Sequence, residues 1–291
     1  MKRLLLIFST LCVMTFTGCA GNKLQTDGNG EQIGTENGTS VMNKSSEIEP
    51  MNADVKISFD NVETLDRSKN GYGQGVQVDD KNRTLGALQF NEKYGKYNAT
   101  AIDDKTNEKV IYLTFDQGYE NGYTSVILDV LKEKNVKAIF FVLEDYAVKN
   151  PDLIRRMIDE GHVIGNHSKS HYSMPDLSGE ECQKEIDSLH QYMLDNFNYE
   201  MSLFRPPMGE FSEYSLAQTQ LAGYKSVLWS YAYADWDVNN QPDYETAYEK
   251  LVNAVHPGGI YLLHSVSKTN AEVLPAFIDK IHSMGYEFKV F

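Results

Sequence analysis

The regular part of the chain opens on an uncharged apolar run, Val110-Ile-Tyr-Leu-Thr-Phe115, followed at once by Asp116-Gln-Gly118. β-Branched and aromatic residues in a short run closed by a turn signal predict a buried strand. Similar runs predict further strands at 138–142, 163–165, 203–205, 226–229, 259–263 and 288–291. Amphipathic stretches between them predict helices at 123–134, 151–160, 179–196, 214–222, 244–255 and 270–284. Strand and helix in alternation imply parallel strands with helices outside, an α/β class. Seven strands in this order predict a distorted (β/α) barrel, closed or nearly so. An open doubly wound sheet is the alternative, but no Gly-x-Gly-x-x-Gly follows the first strand to support a dinucleotide site.

The pattern is weaker upstream. Residues 51–107 are broken by Gly71-Tyr-Gly-Gln-Gly75 and Asp79-Asp-Lys-Asn82, with Phe59, Leu65, Leu85, Leu88 and Tyr94 as apolar points that could pack onto the main domain. They are read as a small N-terminal extension to a domain over 108–291. Residues 19–50 are polar and poor in aromatics, which suits a flexible tether. Residues 1–18 carry Lys2 and Arg3 ahead of an apolar run too short to be a comfortable membrane span, the layout of a secretory signal. Its end, Phe16-Thr-Gly-Cys19, resembles a bacterial lipobox, although Phe16 stands where Leu is usual. The resemblance implies a lipid anchor at Cys19 and an extracytoplasmic, membrane-tethered protein. A plain cleaved signal and an uncleaved anchor are the alternatives, and both also take the chain out of the cytoplasm.

Composition narrows the partners. The formal net charge is −14, and loss of Lys2 and Arg3 with the leader makes it more negative. No basic stripe offsets this, which argues against nucleic acid. Of three cysteines only Cys182 would remain in the mature chain beyond Cys19, so neither an internal disulfide nor a cysteine metal site is expected.

The conspicuous polar residues fall at the same ends of different predicted strands: Asp116-Gln117, His167-Ser-Lys-Ser-His171, Arg205-Pro-Pro-Met-Gly209, Asp235-Trp236 and His264. Barrel enzymes collect their catalytic groups there. Each has a bland reading as well: Asp116 as a helix cap, Arg205 in an ordinary ion pair, His264 as a structural histidine. His167 and His171 are four apart, so on a turn of helix both imidazoles would face one way and could share a metal. No Glu follows the first His, which excludes the zinc-protease His-Glu-x-x-His. A third ligand becomes available from the acid and amide at the neighbouring strand end. Arg205, stiffened by two prolines, suits a carboxylate such as Asp116. His264 near Asp235 could be held protonated as a general acid.

Together with Thr114-Phe-Asp-Gln-Gly-Tyr119 and Leu262-Leu-His264, these segments resemble the five motifs of the polysaccharide deacetylases, the NodB-homology domains of carbohydrate esterase family four. Thr114 to Thr124, with His256-Pro-Gly-Gly-Ile-Tyr-Leu-Leu-His264, resembles the branch that de-N-acetylates peptidoglycan for muramic δ-lactam synthesis. Asn70-Gly-Tyr-Gly73 and Lys93-Tyr-Gly95 are similar to that branch's N-terminal extension. The resemblance implies metal-assisted amide hydrolysis on peptidoglycan glycan strands. His167, His171 and Gln117 would bind a divalent ion, often zinc. Asp116 would be the general base, held by Arg205, and His264 the general acid, oriented and charged by Asp235. Pro207, Met208, Trp236 and Leu262 would contact substrate, the last two lining an acetyl pocket. Two positions depart from the family. Gln117 stands where most members have a second Asp, so weaker metal binding is expected. Met208 stands where the δ-lactam branch often has a basic residue, which keeps N-acetylglucosamine open as an alternative to N-acetylmuramic acid. An inactive wall-binding lipoprotein is the reading from another class.

Overall fold

The computed structural model describes residues 59–291, with side chains described from residue 61 onward. The leader, the tether with Cys19 and the Phe59 side chain lie outside the described residues.

Nine strands form one parallel sheet: β1 Ala99–Thr100, β2 Val110–Gln117, β3 Ile139–Val142, β4 Val163–Asn166, β5 Leu203–Phe204, β6 Lys225–Val227, β7 Tyr231–Ala232, β8 Gly259–His264 and β9 Glu287–Lys289. In space they run β1-β6-β5-β4-β3-β2-β8-β7, and β9 pairs with the first half of β2. The sheet curls into a half-barrel and does not close. The expected seven strands are all present. The two additional ones, β1 and β7, are two residues each, too short to carry an alternation that could be read. β2 also runs two residues beyond its apolar run, because Asp116 and Gln117 continue the pairing with Phe141 and Val142.

All of β2 is buried, as a parallel strand covered on both faces should be. Its side chains alternate between two cores. Ile111, Leu113 and Phe115 face the helices, packing with residues such as Leu128, Ile186 and Phe277. Val110 and Tyr112 face the barrel interior with Ile139, Phe141, Leu203, Val227 and Ile260. The same two-residue period carries Thr114 and Asp116 up the inner face, His264 up β8, and Arg205 just past β5.

The covering helices are α2 Thr124–Glu133, α3 Pro151–Asp159, α4 Gly179–Phe197, α5 Glu213–Leu221, α6 Tyr244–Asn253 and α7 Lys268–Ser283, after α1 Leu85–Tyr94 in the extension. α4 starts with a reciprocal capping box between Ser178 and Glu181, and α3 starts with proline at its first position.

The extension spans the open side of the sheet. Tyr72 donates to the Trp229 carbonyl, Thr84 Oγ1 to that of Ser230 and Gln74 Nε2 to that of Ala232, on the segment leading from β6 and on β7 itself. Phe90, Tyr94 and Tyr97 form a third core with Phe211, Tyr214 and Leu228. Upstream residues therefore supply both an edge strand and the packing that the unclosed barrel lacks.

Candidate active site

Asp116 and Arg205 meet inside the barrel mouth. Asp116 Oδ1 accepts from Arg205 Nη1 at 2.7 Å. The guanidinium is fully buried and also donates to Thr114 Oγ1 (2.8 Å), Val227 O (3.0 Å) and Leu228 O (3.2 Å). Its face lies 4.1 Å from the centroid of the Phe141 ring. Room for that ring depends on Gly165, its neighbour in register, where a Cβ would fall 2.4 Å from Phe141. Burial pushes the Asp116 carboxyl up, but the charges of Arg205, His167 and His264 outweigh it and hold the group below the ordinary carboxylate value.

On the adjacent strand, His264 sits directly opposite Asp116 in register. Its Nδ1 is 2.7 Å from Asp235 Oδ1, and its backbone N–H donates to Asp235 Oδ2 at 2.8 Å. A carboxylate only accepts, so Nδ1 carries the proton and Nε2 is the free nitrogen. Burial pushes His264 down, yet the hydrogen bond and charge of Asp235, with Asp116 beyond, raise its pKa above the ordinary histidine value. One carboxyl pushed down and one imidazole pushed up, side by side, is the pattern of an assigned base and acid.

His167 and His171 do come together, their ring centroids 5.0 Å apart, but on no helix. They lie on the loop after β4, where Ser168 (φ 76°) and His171 (φ 59°) adopt left-handed backbone that bulky residues seldom take. The loop is held by Ser168 N–H to Asn166 Oδ1 (2.8 Å), His171 N–H to Ser168 Oγ (2.9 Å) and Ser170 N–H to Glu185 Oε2 (2.6 Å). The expected helical turn is thus replaced by a strained loop with the same outcome for the rings. Burial lowers the pKa of His171 and takes that of His167 down to about 4, which favours the neutral form of both imidazoles.

The donor set fits a cation. His167 Nδ1 donates to the Arg205 carbonyl at 2.9 Å, which leaves Nε2 a bare lone pair 3.5 Å from Asp116 Oδ2. Two acceptors facing each other call for something positive or a donor between them. Gln117 gives its amide nitrogen to Ser265 Oγ, while its Oε1 is buried with no hydrogen-bond partner. Among the described residues no group of three His, Cys, Asp or Glu could hold a metal.

The remaining expected contacts separate into two kinds. Pro207 and Leu262 are buried, Leu262 on the inner face one layer below His264. Met208 and Trp236 are 53% and 60% exposed at the rim, and Met208 has left-handed backbone (φ 59°). Gly209 follows at φ 65°, and a Cβ there would lie 2.8 Å from the Trp229 ring. The sequence gives no signal for Asn270. It is buried beside Asp235, in a stretch, Ser267-Lys-Thr-Asn270, that reads from sequence only as a helix start.

With this geometry the chain can be compared with known proteins. The family model for polysaccharide deacetylase matches residues 103–227. The peptidoglycan-N-acetylmuramic acid deacetylase PdaA of Bacillus subtilis is 46% identical over 202 residues, 69% of this chain and 76% of that protein. The solved structure of Bacillus subtilis PdaA, a family 4 carbohydrate esterase, superposes with a TM-score of 0.73 at 41% identity, covering 77% of this chain and 96% of that one. The peptidoglycan-N-acetylglucosamine deacetylase PgdA of Listeria monocytogenes is 34% identical over 184 residues, 63% of this chain and 38% of that protein. Fold and site define a hydrolase acting on carbon–nitrogen bonds. The chain belongs to the polysaccharide deacetylase family, carbohydrate esterase family four.

Proposed function

We propose that the chain is a metal-dependent de-N-acetylase of N-acetylmuramic acid in peptidoglycan, exposing the amine from which a muramic δ-lactam closes. The observation that carries the hydrolysis is the register of Asp116 against His264, a carboxyl shifted below its ordinary value beside an imidazole shifted above its own. The choice of muramic acid is supported by the 46% identity to PdaA. A divalent ion on His167, His171 and Gln117 would supply positive charge to the acetyl carbonyl and the attacking water. Asp116 takes the proton from that water, with Arg205 fixing its carboxylate. His264 Nε2 gives its proton to the departing sugar nitrogen as the C–N bond breaks, leaving acetate and a free amine. Developing negative charge on the carbonyl oxygen needs a donor as well. Pro206 and Pro207 have no N–H, and that of Gly209 is bonded to Pro206, so the donor this segment offers is the Met208 N–H.

A second reading keeps the chemistry and moves it to N-acetylglucosamine. It is favoured by exposed Met208, which brings no cation to meet the lactyl carboxylate of muramic acid. Acetate release from defined muropeptides, with and without added metal and with mass analysis of the sugar that lost it, decides. Loss from muramic acid is expected, loss from glucosamine alone selects the second reading, and no acetate from any glycan overturns both.

A further inference from the structure

We propose that Asn270 is a positioning residue for this hydrolysis, its side-chain amide fixing the carboxylate of Asp235 that in turn orients His264. The inference rests on His264 acting as the acid of the proposed function.

Asn270 is 1% exposed, in the first turn of α7, where its backbone N–H donates to Ser267 Oγ at 3.0 Å. Its Nδ2 donates to Asp235 Oδ2 at 2.5 Å and to the His264 carbonyl at 3.1 Å. Its Oδ1 accepts from the Tyr233 hydroxyl. Chemistry dictates this orientation of the amide. A carboxylate and a backbone carbonyl can only accept, so the swapped amide would set an oxygen against two oxygens. Tyr233, whose hydroxyl can donate, occupies the other end.

Asp235 is fully buried and receives three donors: His264 Nδ1 on Oδ1, and the His264 backbone and Asn270 on Oδ2. Without Asn270, Oδ2 keeps one donor, and the carboxylate is free to turn its Oδ1 away from Nδ1. That contact fixes the His264 tautomer and sustains its charge. The other charged or titratable groups acting on His264 are Asp116, Arg205 and His171, and none of them touches Asn270.

The test reads His264 directly. Imidazole titration by NMR in substrate-free protein is expected to show a lower His264 pKa in Asn270→Ala than in the parent, and a smaller fall in Tyr233→Phe. The kcat for acetate release should drop by about 10- to 100-fold in Asn270→Ala with KM little changed. Its alkaline limb should move to lower pH. A variant that only unfolds more easily, with the His264 titration and the alkaline limb unmoved, overturns the proposal. If Asn270→Ala does not fold, Tyr233→Phe decides by the same titration. Because that titration needs no substrate, it is decided separately from whether muropeptides release acetate.

Discussion

One side of the barrel mouth is saturated with hydrogen bonds and the other has lone pairs to spare. On the acid–base side, Arg205 spends its donors on Asp116, Thr114 and two backbone carbonyls, and Asp235 accepts three N–H groups. Elsewhere, His167 Nε2 faces a carboxylate oxygen, and Gln117 Oε1, next along β2 from Asp116, is buried without a hydrogen-bond partner. Buried polar groups are normally paired, so the contrast has content. Base and acid must be oriented before substrate arrives, and the protein does this with its own groups. In the proposed function the unpaired lone pairs would be met by a divalent cation that comes from outside.

Breaking the saturated side should have the largest effects. Asp116→Asn removes the base while keeping shape, and acetate release should fall by about 10²–10⁴-fold with glycan binding retained. Unchanged turnover would remove Asp116 from the mechanism. Arg205→Met leaves the Asp116 carboxylate buried and unpaired, and urea unfolding should show a loss of about 3–5 kcal/mol. A loss under about 1 kcal/mol would mean the pair is solvated like a surface one.

The pH profile tests both groups at once. In the proposed mechanism, activity requires Asp116 ionised and His264 protonated. It should therefore fall on the acid side only below the ordinary carboxylate range, because the Asp116 pKa is lowered. On the alkaline side it should fall as pH rises through a His264 pKa above 6.5, because that group is raised. A limb below 6.5 would contradict the Asp235 contact. The smallest effect sharpens the other side: Gln117→Asp should tighten divalent-metal binding, read by calorimetry, by at least about tenfold, or ~1.4 kcal/mol. Equal affinity would show that residue 117 is not a ligand.

Much of this was legible in the chain, for a local reason. The apolar run before Asp116 marked a strand, and a two-residue period fixes which of its side chains share the inner face. Motif spacing placed Asp116, Arg205, Asp235 and His264 at strand ends. Four-residue spacing predicts a helical histidine pair, because a helix turn brings residues at that spacing together. The observed loop depends on left-handed Ser168 and His171, stabilised by Asn166 and by Glu185 of α4. The Glu185 contact reaches 15 residues ahead, beyond any local pattern.

The sequence by itself determined which residue types stand at the strand ends and which face they take, since both follow from backbone geometry within a few residues. Tertiary structure alone decided that β2 and β8 are neighbours, that Asn270 lies behind Asp235, and that residues 72–102 cover the open side of the barrel. Strand order and the packing of distant segments come from burying apolar surface across the whole chain, and that sum has no signature in any one stretch of it.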